Sequence, residues 1–275
     1  MMNFDLHSHS HFSDGSLSPT ALVELAAAHG VSHLALTDHD TVAGLDEAQA
    51  AAIDSGLTLI NGVELSCSWE NQLLHIVGLN IDPNNSALRK GIESNRGRRF
   101  ERAELMYQDL EKHDIDLREL VQSNLQKGAV PTRPHFAQAL VELSYAKNLK
   151  QAFKRYLVRG KPGFVPMQWP GLEQVGQWIN NSGGVAVLAH PLRYKFTRTK
   201  LIRLITEMVP AGVQALEVST PTTDKQQIAM LGDLSKQHDL AASIGSDFHS
   251  PNHSWTRLGS AQPLSKDLNP VWSQF

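Results

Sequence analysis

The chain has 275 residues, of which 41% are hydrophobic and 19% are charged, so we expect a globular protein with a sizeable core. The formal net charge is -3, so the protein as a whole does not attract polyanions. A nucleotide or nucleic-acid partner would therefore have to bind a local basic patch or bound metal cations.

The first part of the chain alternates short apolar runs with helical patterns. Strands are predicted at residues 3–6, 33–40, 57–64 and 73–79. A helix is predicted at residues 18–30, because Ser18 can cap it, Pro19 suits its first position and Gly30 suits its end. A second helix is predicted at residues 43–54 and stops near Gly56. This alternation predicts a mostly parallel sheet covered by helices.

The pattern changes after Asp82 and Pro83. Residues 84 to about 160 contain no convincing strand, but they do contain a long charged segment and shorter helical stretches. We therefore predict an inserted helical subdomain at residues 83–164, between two parts of a barrel at residues 1–82 and 165–275.

The alternation of strands and helices then returns. Strands are predicted at residues 185–190, 215–218 and 241–249, and helices at residues 172–181, 201–208 and 223–238. Clusters of acids and histidines fall at the carboxyl ends of the predicted strands, which is the edge that carries the active site of (β/α) barrels. We predict an α/β fold with a TIM-like barrel, whose strand number the pattern alone leaves open.

Nine residues near these strand ends can bind metal: His7, His9, Asp14, His39, Glu64, His75, His190, Asp247 and His249. Residues two apart on an extended chain point the same way, so His7 and His9 can reach one ion. Imidazoles together with carboxylates suit Zn, Mn or Fe. Nine candidates exceed the needs of one tetrahedral site, which favours two or three ions that share bridging carboxylates.

Each of these residues also has an ordinary structural interpretation. A single His-x-His motif is weak evidence for a metal, and His75 lies in an apolar strand where a histidine is more often part of the core. Asp14 could be a turn residue, and Asp38 or Asp40 could be a helix N-cap. The joint pattern of strand-end clusters in one predicted barrel favours the metal centre.

The motifs that carry these residues are similar to those of the PHP (polymerase and histidinol phosphatase) family. They are DLHSHSHFSDG, LALTDHDT, GVELS, LLHIVGL, RPHFA, AHPLRY and GSDFH, at residues 3–82 and about 130–260. The resemblance implies a distorted (β/α)7 barrel with three metal ions, commonly manganese, with zinc or iron also found. It implies that His7, His9, Glu64 and Asp247 hold one ion. Glu64 would bridge to a second ion held by His75 and His190, and Asp14, His39 and His249 would hold the third.

The insertion and the RPHFA motif are most similar to those of a stand-alone subgroup of this family. The resemblance implies hydrolysis of the 3′-phosphate of nucleoside 3′,5′-bisphosphates and 5′→3′ removal of mononucleotides from short 5′-phosphorylated RNA. Histidinol-phosphate phosphatases and other small-molecule phosphomonoesterases share the metal motifs, so such an activity is the alternative.

Both reactions would need a second anion site for the 5′-phosphate of the substrate. Candidate residues for substrate binding are Arg133, His135, Lys161, Arg193 and Arg198. We expect His135 and Asp247 to take part in catalysis, with His135 as a candidate proton donor to the leaving O3′. Most Arg and Lys side chains are solvated surface charges, so outside the motif each assignment would be weak.

A further cluster of cations consists of Arg96, Arg98, Arg99 and Arg102. It could follow an RNA backbone, but the favoured interpretation is a solvated helix face paired with acids such as Glu101 and Glu104.

Two other classes of function compete with a phosphoesterase. A non-catalytic binding module is disfavoured because decayed members of the family usually lose ligands, and all nine are present. An amidohydrolase acting on C–N bonds would typically carry a lysine at a strand end, which we do not find.

The single cysteine, Cys67, excludes an intrachain disulfide and is typical of the reducing cytoplasm, where we expect the protein. The N-terminus lacks the basic stretch and apolar run of a signal peptide. No apolar run reaches about 18 residues, so we expect no membrane span.

Overall fold

A seven-stranded sheet lies at the centre of the fold, which a computed structural model describes for residues 2–253 and 255–275. The strands follow one another in the sheet in chain order. They are β1 (Phe4–Asp5), β2 (His33–Leu36), β3 (Thr58–Trp69), β4 (Gln72–Leu79), β5 (Val185–Leu188), β6 (Ala215–Ser219) and β7 (Ala241–Ile244). Just past β1, the Leu6 amide donates to the Ile244 carbonyl at 3.1 Å, so the sheet nearly closes. The predicted seven-stranded, TIM-like barrel is confirmed.

One strand departs from the parallel order. β4 runs antiparallel to both β3 and β5, and the other neighbouring pairs are parallel. Glu70 (φ 45°) and Asn71 (φ 60°) form the two-residue turn between β3 and β4, and left-handed conformations at both positions are typical of tight hairpins. β3 therefore continues beyond Glu64, where the sequence predicts its end, because its last residues pair with β4.

Helices occupy the segments between most of the strands. They are α1 (Pro19–Ala28), α2 (Leu45–Ser55), α3 (Ser86–Glu111), α4 (Arg118–Asn124), α5 (Arg133–Glu142), α6 (Leu149–Ala152), α7 (Leu172–Asn181), α8 (Arg198–Met208) and α9 (Lys225–Gln237). A π-helix (Phe153–Leu157) continues α6, and short 3-10 helices lie at Pro191–Tyr194 and Val271–Gln274. The predicted caps are confirmed: Ser18 Oγ accepts from the Ala21 amide at 3.1 Å, and Gly56 ends α2 with φ 66°.

The segment between β4 and β5 contains α3 to α6 and the π-helix and, across the described residues 83–164, no strand, as predicted. The second half of α3 packs its apolar side chains, including Met106 and Leu110, against α4, α5 and α6. The first half of α3 packs Leu88 and Ile92 against the barrel instead. Because one helix joins both apolar clusters, the predicted limits of a separate subdomain stay a prediction.

The interior of the barrel is apolar at the end where the strands begin. Every strand contributes at least one side chain to this cluster, among them Phe4, Ala35, Ile60, Val77, Val187, Ala215 and Ala241. Layers of this kind fill the centre of (β/α) barrels. Polar groups are therefore left to collect at the opposite end, where the strands finish. None of the helices in the described part of the chain combines the length and the hydropathy that a membrane-spanning segment needs.

Candidate metal centre

The nine predicted metal-binding residues all lie at one end of the barrel. They follow β1, β2, β5 and β7 or lie within β3 and β4. His75 reaches this end although it lies in the first half of its strand, because β4 runs in the opposite direction and pairs His75 with Ser66, two residues past Glu64. The direction of β4 thus places an imidazole beside the Glu64 carboxylate.

Within the described chain, four groups of side chains have ligand atoms that lie within 4.8 Å of one another. The groups are His9, Asp14, His39 and His249; His7, Glu64 and His190; His7, His9 and Asp247; and His39, Glu64 and His75. Together they contain every one of the predicted residues and no other described residue. The groups share members, so they form one continuous cluster of nitrogen and oxygen ligands.

Glu64 is at the centre of this cluster. Its Oε1 lies 3.0 Å from His75 Nδ1 and 3.1 Å from His190 Nε2, and its Oε2 lies 2.8 Å from His39 Nδ1. Burial raises the pKa of Glu64. The imidazoles of His39, His75 and His7 lower it by a larger amount, so the pKa lies well below its usual range. Glu64 is therefore ionised and can bridge two cations with its two oxygens.

Two aspartates complete the acidic part of the cluster. Asp247 Oδ1 lies 3.1 Å from His9 Nε2, and Asp14 Oδ1 lies 3.3 Å from His249 Nε2. Burial raises the pKa of each aspartate, but neighbouring imidazoles lower each pKa well below its usual range, with Arg193 adding to the effect on Asp247. Both carboxylates are charged although they are buried.

Several buried polar atoms in the cluster have no hydrogen-bond partner. They are His7 Nε2, Asp14 Oδ1, His39 Nδ1, Glu64 Oε2, His75 Nδ1 and His190 Nδ1. Buried polar atoms almost always have a partner, so this concentration of unpaired donors and acceptors fits bound cations. Burial lowers the pKa of His9 to about 3 and that of His75 to about 4, so both imidazoles are neutral and have a free lone pair. The donor set fits several divalent ions bound by nitrogen and oxygen, although the assignment of each ligand stays a prediction.

The backbone is strained at two of the strand ends. His190 has φ 31° and Asp247 has φ 50°, both in the left-handed region that side chains other than glycine rarely adopt. His190 is followed by Pro191, which also disfavours a helical conformation before it. Strain of this kind persists at sites where the surrounding structure fixes the side chain for a function.

Glu217 is a residue of this centre that the sequence analysis missed. It lies in β6, is buried, and places Oε1 3.0 Å from His7 Nδ1. Its Oε2 accepts a hydrogen bond from the His190 amide at 2.6 Å. A carboxylate that accepts from one imidazole nitrogen fixes the tautomer and leaves the other nitrogen free for a metal. The signal was present, because Glu217 also lies near the end of a predicted strand.

Asp38 and Asp40 position the loops of the centre and are not helix caps, since Gly44 precedes α2. Asp38 accepts from the Ser10 amide at 2.7 Å and from Ser13 Oγ at 2.6 Å, which holds the loop that follows β1. Asp40 instead connects the barrel to α3. The N-cap interpretation of both aspartates is therefore wrong.

Asp40 makes this connection through two residues of α3. It accepts from Asn95 Nδ2 at 2.7 Å and from Arg99 Nε at 2.6 Å. Burial raises the pKa of Asp40, but the charge of Arg99 and the hydrogen bonds from Ser66 and Asn95 outweigh this effect and lower the pKa overall. Asp40 and Arg99 therefore form an ionised pair inside the protein.

Arg133 and His135 lie at the start of α5, beside the metal cluster. Burial lowers the pKa of both side chains, and the Asp14 carboxylate acts against this shift in both cases, which places them near that ligand. His135 Nδ1 accepts from the Thr132 amide at 3.0 Å. Because Nδ1 is an acceptor, the neutral ring carries its proton on Nε2.

The other predicted substrate-binding residues have different positions. Arg193 forms an ion pair with Asp247 at the metal cluster. Lys161 and Arg198 are exposed, and in the described part of the chain neither side chain forms a hydrogen bond or an ion pair with the cluster. A role of Lys161 or Arg198 in substrate binding stays a prediction.

Two arginines of α3 contradict the interpretation of that helix as a solvated charged face. Arg99 is 6% exposed, and Arg102 has an Nε that is buried without a hydrogen-bond partner. Burial lowers the pKa of Arg102 to about 9, and the neighbouring cations Arg133 and Arg99 contribute to that shift. Glu104, which the sequence analysis paired with this cluster, binds Arg118 at 2.6 Å instead.

A small pocket next to the metal cluster is lined by Arg99, Arg102 and Arg133, together with Thr132 and Phe136. Arg99 is neutralised by Asp40, whereas Arg102 has no described acidic partner. Guanidinium groups with excess positive charge attract an anion such as phosphate, which takes up several N–H donors. The structure thus places a candidate anion site beside a candidate metal centre.

Comparison with known proteins gives consistent matches. The chain matches the family model described as the PHP domain at residues 5–161. It is 41% identical to a 3′,5′-nucleoside bisphosphate phosphatase from Chromobacterium violaceum, over 100% of this chain and 97% of that protein. It is 42% identical to a 5′-3′ exoribonuclease from Haemophilus influenzae, over 99% of this chain and 98% of that protein.

Solved structures agree with these matches. A structure from Chromobacterium violaceum, described as an amidohydrolase with bound sulfate and no metal, superimposes with a TM-score of 0.93 at 41% identity, and the match covers 99% of this chain and 95% of that one. A structure from Bifidobacterium adolescentis, assigned as a metal-dependent phosphoesterase, superimposes with a TM-score of 0.83 at 28% identity, over 99% and 96% of the two chains.

Proposed function

Since the chain belongs to the PHP domain family and is a metal-dependent phosphoesterase, we propose that it removes the 3′-phosphate of nucleoside 3′,5′-bisphosphates. We propose that it also releases 5′-mononucleotides from short 5′-phosphorylated RNA, a proposal supported by the Haemophilus relative, which is named a 5′-3′ exoribonuclease. Both reactions break a bond between phosphorus and a nucleoside O3′, so one site can perform both.

One observation carries this choice of substrate: the arginine pocket lies beside the metal cluster but is separate from it. An enzyme for simple phosphomonoesters needs one anion site, at the metals. A second pocket with an unpaired cation, Arg102, supports a substrate with a second phosphate. The terminal 5′-phosphate is the group that nucleoside bisphosphates and 5′-phosphorylated RNA have in common.

We propose that the cluster holds three divalent ions, which the family resemblance implies are manganese, with zinc or iron as alternatives that also suit imidazole and carboxylate ligands. His7, His9 and Asp247 would hold the first and Asp14, His39 and His249 the third. Glu64, His75 and His190 would hold the second, because Glu64 Oε1 lies within 3.1 Å of both imidazoles, and Glu64 would be shared with the first ion. When bound, such ions lower the pKa of water and neutralise charge on the phosphoryl oxygens.

The protein groups around the cluster would position the substrate. Arg102, Arg133 and Arg99 would bind the 5′-phosphate and so fix the distance from that phosphate to the scissile one. Arg193, which neighbours Asp247, would bind an oxygen of the phosphoryl group under attack. Asp247 would act in catalysis by holding this arginine as well as a metal ion.

His135 would act at the leaving group. Its Nε2 carries the proton because Nδ1 accepts from the Thr132 amide, so Nε2 can donate a hydrogen bond to O3′. Burial lowers the pKa of His135, so the ring is neutral at pH 7. A hydrogen-bond donor that stabilises charge developing on O3′ is therefore the role that its surroundings support.

The test compares substrates that differ only in the second phosphate. The manganese-loaded protein is offered adenosine 3′,5′-bisphosphate, adenosine 3′-monophosphate, histidinol phosphate and a short 5′-phosphorylated RNA, and the products are separated by chromatography. We expect AMP from the bisphosphate and 5′-mononucleotides from the RNA, with at least about 100-fold slower turnover when the 5′-phosphate is missing, corresponding to about 2.7 kcal/mol.

Two variants control this experiment. Asp247→Asn should abolish both activities, whereas Asp54→Asn, which changes an exposed carboxylate on α2, should leave both unchanged. Equal turnover of the 3′-monophosphate and the bisphosphate would mean that the arginine pocket is not a substrate site. Turnover of histidinol phosphate in preference to both nucleotides would establish the alternative, a small-molecule phosphomonoesterase.

A further inference from the structure

Charge is distributed unevenly along the chain. Residues 83–164 contain sixteen Lys and Arg residues but nine Asp and Glu residues, a formal charge of +7. The rest of the chain contains nine Lys and Arg residues and nineteen Asp and Glu residues, a formal charge of -10. The small net charge of the whole protein therefore conceals a basic segment, and such asymmetry is typical of proteins with a polyanionic partner.

The cations of this segment are most concentrated near its end. No acidic residue lies between Glu142 and Glu173, whereas this stretch carries six cations: Lys147, Lys150, Lys154, Arg155, Arg159 and Lys161. All six are exposed, and among the described residues none forms an ion pair. We refer to these six residues as the basic surface.

The local structure directs these charges outward. α6 and the π-helix bury Ala152 and Leu157 against the apolar cluster of α3 and α5, with Phe153 and Tyr156 packed beside them. The charged residues of the same turns are left exposed to solvent. A π-helix at this point is notable because such turns occur often at functional sites.

The spacing of the cations is unfavourable for the isolated protein. Lys150 and Lys154 are four residues apart in the continuous helical segment formed by α6 and the π-helix, and like charges at about this spacing repel one another. An ordinary solvated face would intersperse acids with these cations, as the end of α3 does with Asp109 and Lys112, whose charged groups lie 3.1 Å apart. The repulsion would be relieved by a bound chain of phosphates.

The basic surface lies about one helix length from the candidate anion site. α5 begins at Arg133, beside the metal cluster, and its ten residues span about 15 Å. α6 and the π-helix pack along α5, and Gly163 lies against Leu110, about 16 Å along α3 from Arg99. An RNA chain several nucleotides long could reach from the metal centre to this surface, whereas a single nucleotide could not.

We propose that the basic surface binds the phosphates of the RNA chain that follows the terminal nucleotide. This inference rests on the proposed function, since it assumes an RNA substrate. The terminal nucleotide is held by the arginine pocket and the metal centre, and the basic surface adds affinity that depends on RNA length and on salt. Lys150, Lys154 and Arg159 of this surface contribute nothing to the binding of a nucleoside bisphosphate.

The test removes charge from the basic surface without touching the proposed catalytic or phosphate-binding residues. The variant combines Lys150→Glu, Lys154→Glu and Arg159→Glu, whose side chains form no described hydrogen bond. A matched control carries the same change of charge at three exposed barrel positions, Lys225→Glu, Arg257→Glu and Lys266→Glu. Kinetic constants are measured on manganese-loaded proteins with a nucleoside bisphosphate and with 5′-phosphorylated RNAs of two to about twelve nucleotides, at several salt concentrations.

We expect the basic-surface variant to lose about tenfold or more in kcat/KM on the longer RNAs and none on the dinucleotide or the bisphosphate. For single strands each lost phosphate contact lowers the salt slope by about 0.7, so three should lower it by about 2. The control variant should change neither quantity by more than about twofold, since its charges lie away from the surface.

Each result decides between the claims. If the wild-type protein cleaves both substrates and the basic-surface variant retains its full rate on long RNA, the inference is wrong and the proposed function stands. An equal loss in the matched control would also refute it, because net charge would then be the cause. If the wild-type protein cleaves neither substrate, the proposed function fails and the inference fails with it. Binding of the surface to anionic lipid vesicles, with RNA cleavage unchanged in the variant, would replace RNA by a membrane as the partner.

Discussion

Replacing Arg102 by methionine should change stability and activity in opposite directions. Arg102 is partly buried, its Nε has no hydrogen-bond partner, and its nearest charged neighbours are the cations Arg99 and Arg133. Burial and these neighbours lower its pKa to about 9, so holding its positive charge in this place destabilises the ligand-free protein at neutral pH. Methionine keeps much of the apolar stem of the side chain and removes the charge.

The expected gain in stability follows from what surrounds the charge. Replacing buried charged groups by apolar residues of similar size stabilises proteins by about 1–4 kcal/mol, and the lower part of this range applies because Arg102 retains some exposure. For a chain of this size each kcal/mol raises Tm by about 2–4 °C. The destabilisation by the charge is complete below about pH 9 and diminishes above it, because the folded pKa of Arg102 is lower than its unfolded value.

The expected loss in activity follows from the role proposed for the same side chain. A hydrogen bond to a charged partner contributes about 1.5–3 kcal/mol, so kcat/KM for a nucleoside 3′,5′-bisphosphate should fall about 10- to 150-fold. Turnover of a nucleoside 3′-monophosphate should be unchanged, because it has no 5′-phosphate for Arg102 to bind.

The assay pairs thermal unfolding of the ligand-free protein with steady-state kinetics on both substrates. Arg89→Met, which changes an exposed arginine of the same helix, is the control and should alter neither quantity. A Tm that falls in Arg102→Met would refute the argument that this charge lacks a partner. A loss of activity that is the same for both substrates would refute its assignment to the 5′-phosphate.

Three further outcomes are expected. Glu217→Gln should weaken metal binding by about 10- to 100-fold in calorimetric titration, because the carboxylate that orients His7 loses its charge; unchanged affinity would contradict this role. In the protein from which a chelator has removed metal ions, burial lowers the pKa of His249, but the carboxylates of Asp14 and Asp247 raise it by more, to about 9. The pKa of the same side chain in the unfolded protein is 6.5. The ion pairs of His249 with these two carboxylates therefore stabilise the folded protein fully below about pH 6.5, and this stabilisation is lost as pH rises through about 9. Tm should fall over this interval, and a Tm that does not change with pH would contradict the ion pairs. Gly245→Ala should destabilise the protein by about 1–3 kcal/mol in denaturant unfolding, because its Cβ would lie 2.3 Å from His7 Cβ, whereas Gly97→Ala, in open space, should not destabilise it.

The positions of the metal-binding residues were predictable because a simple rule of topology governs them. In a barrel of parallel strands every carboxyl end reaches the same edge, so His7, His39 and Asp247 could be placed together before any contact was known. His75 needed more than the rule. It lies in the first half of its strand, and the reversed direction of β4 brings it to Glu64.

The arginine pocket could not be predicted in the same way. Arg99 and Arg102 are three residues apart and therefore share one face of α3, but periodicity does not say whether that face meets solvent or protein. The surrounding acids favoured solvent. In the structure, Arg99 is buried against the barrel because it donates a hydrogen bond of 2.6 Å to Asp40, which lies far away in sequence.

Asp40 also connects the two oppositely charged parts of the proposed site. Its backbone is in the left-handed region at φ 49°, and its carboxylate accepts from Ser66 of β3 at 2.8 Å as well as from Arg99 of α3. The carboxylate thereby fixes α3, and with it the arginine pocket, at a set distance from the strand that carries Glu64. A substrate with two phosphates must satisfy both sites at once, so the rigidity of this connection determines whether binding energy at the 5′-phosphate is available to align the scissile bond. This explains why an ion pair is retained in the protein interior, where an apolar contact of the same size would often be as stable.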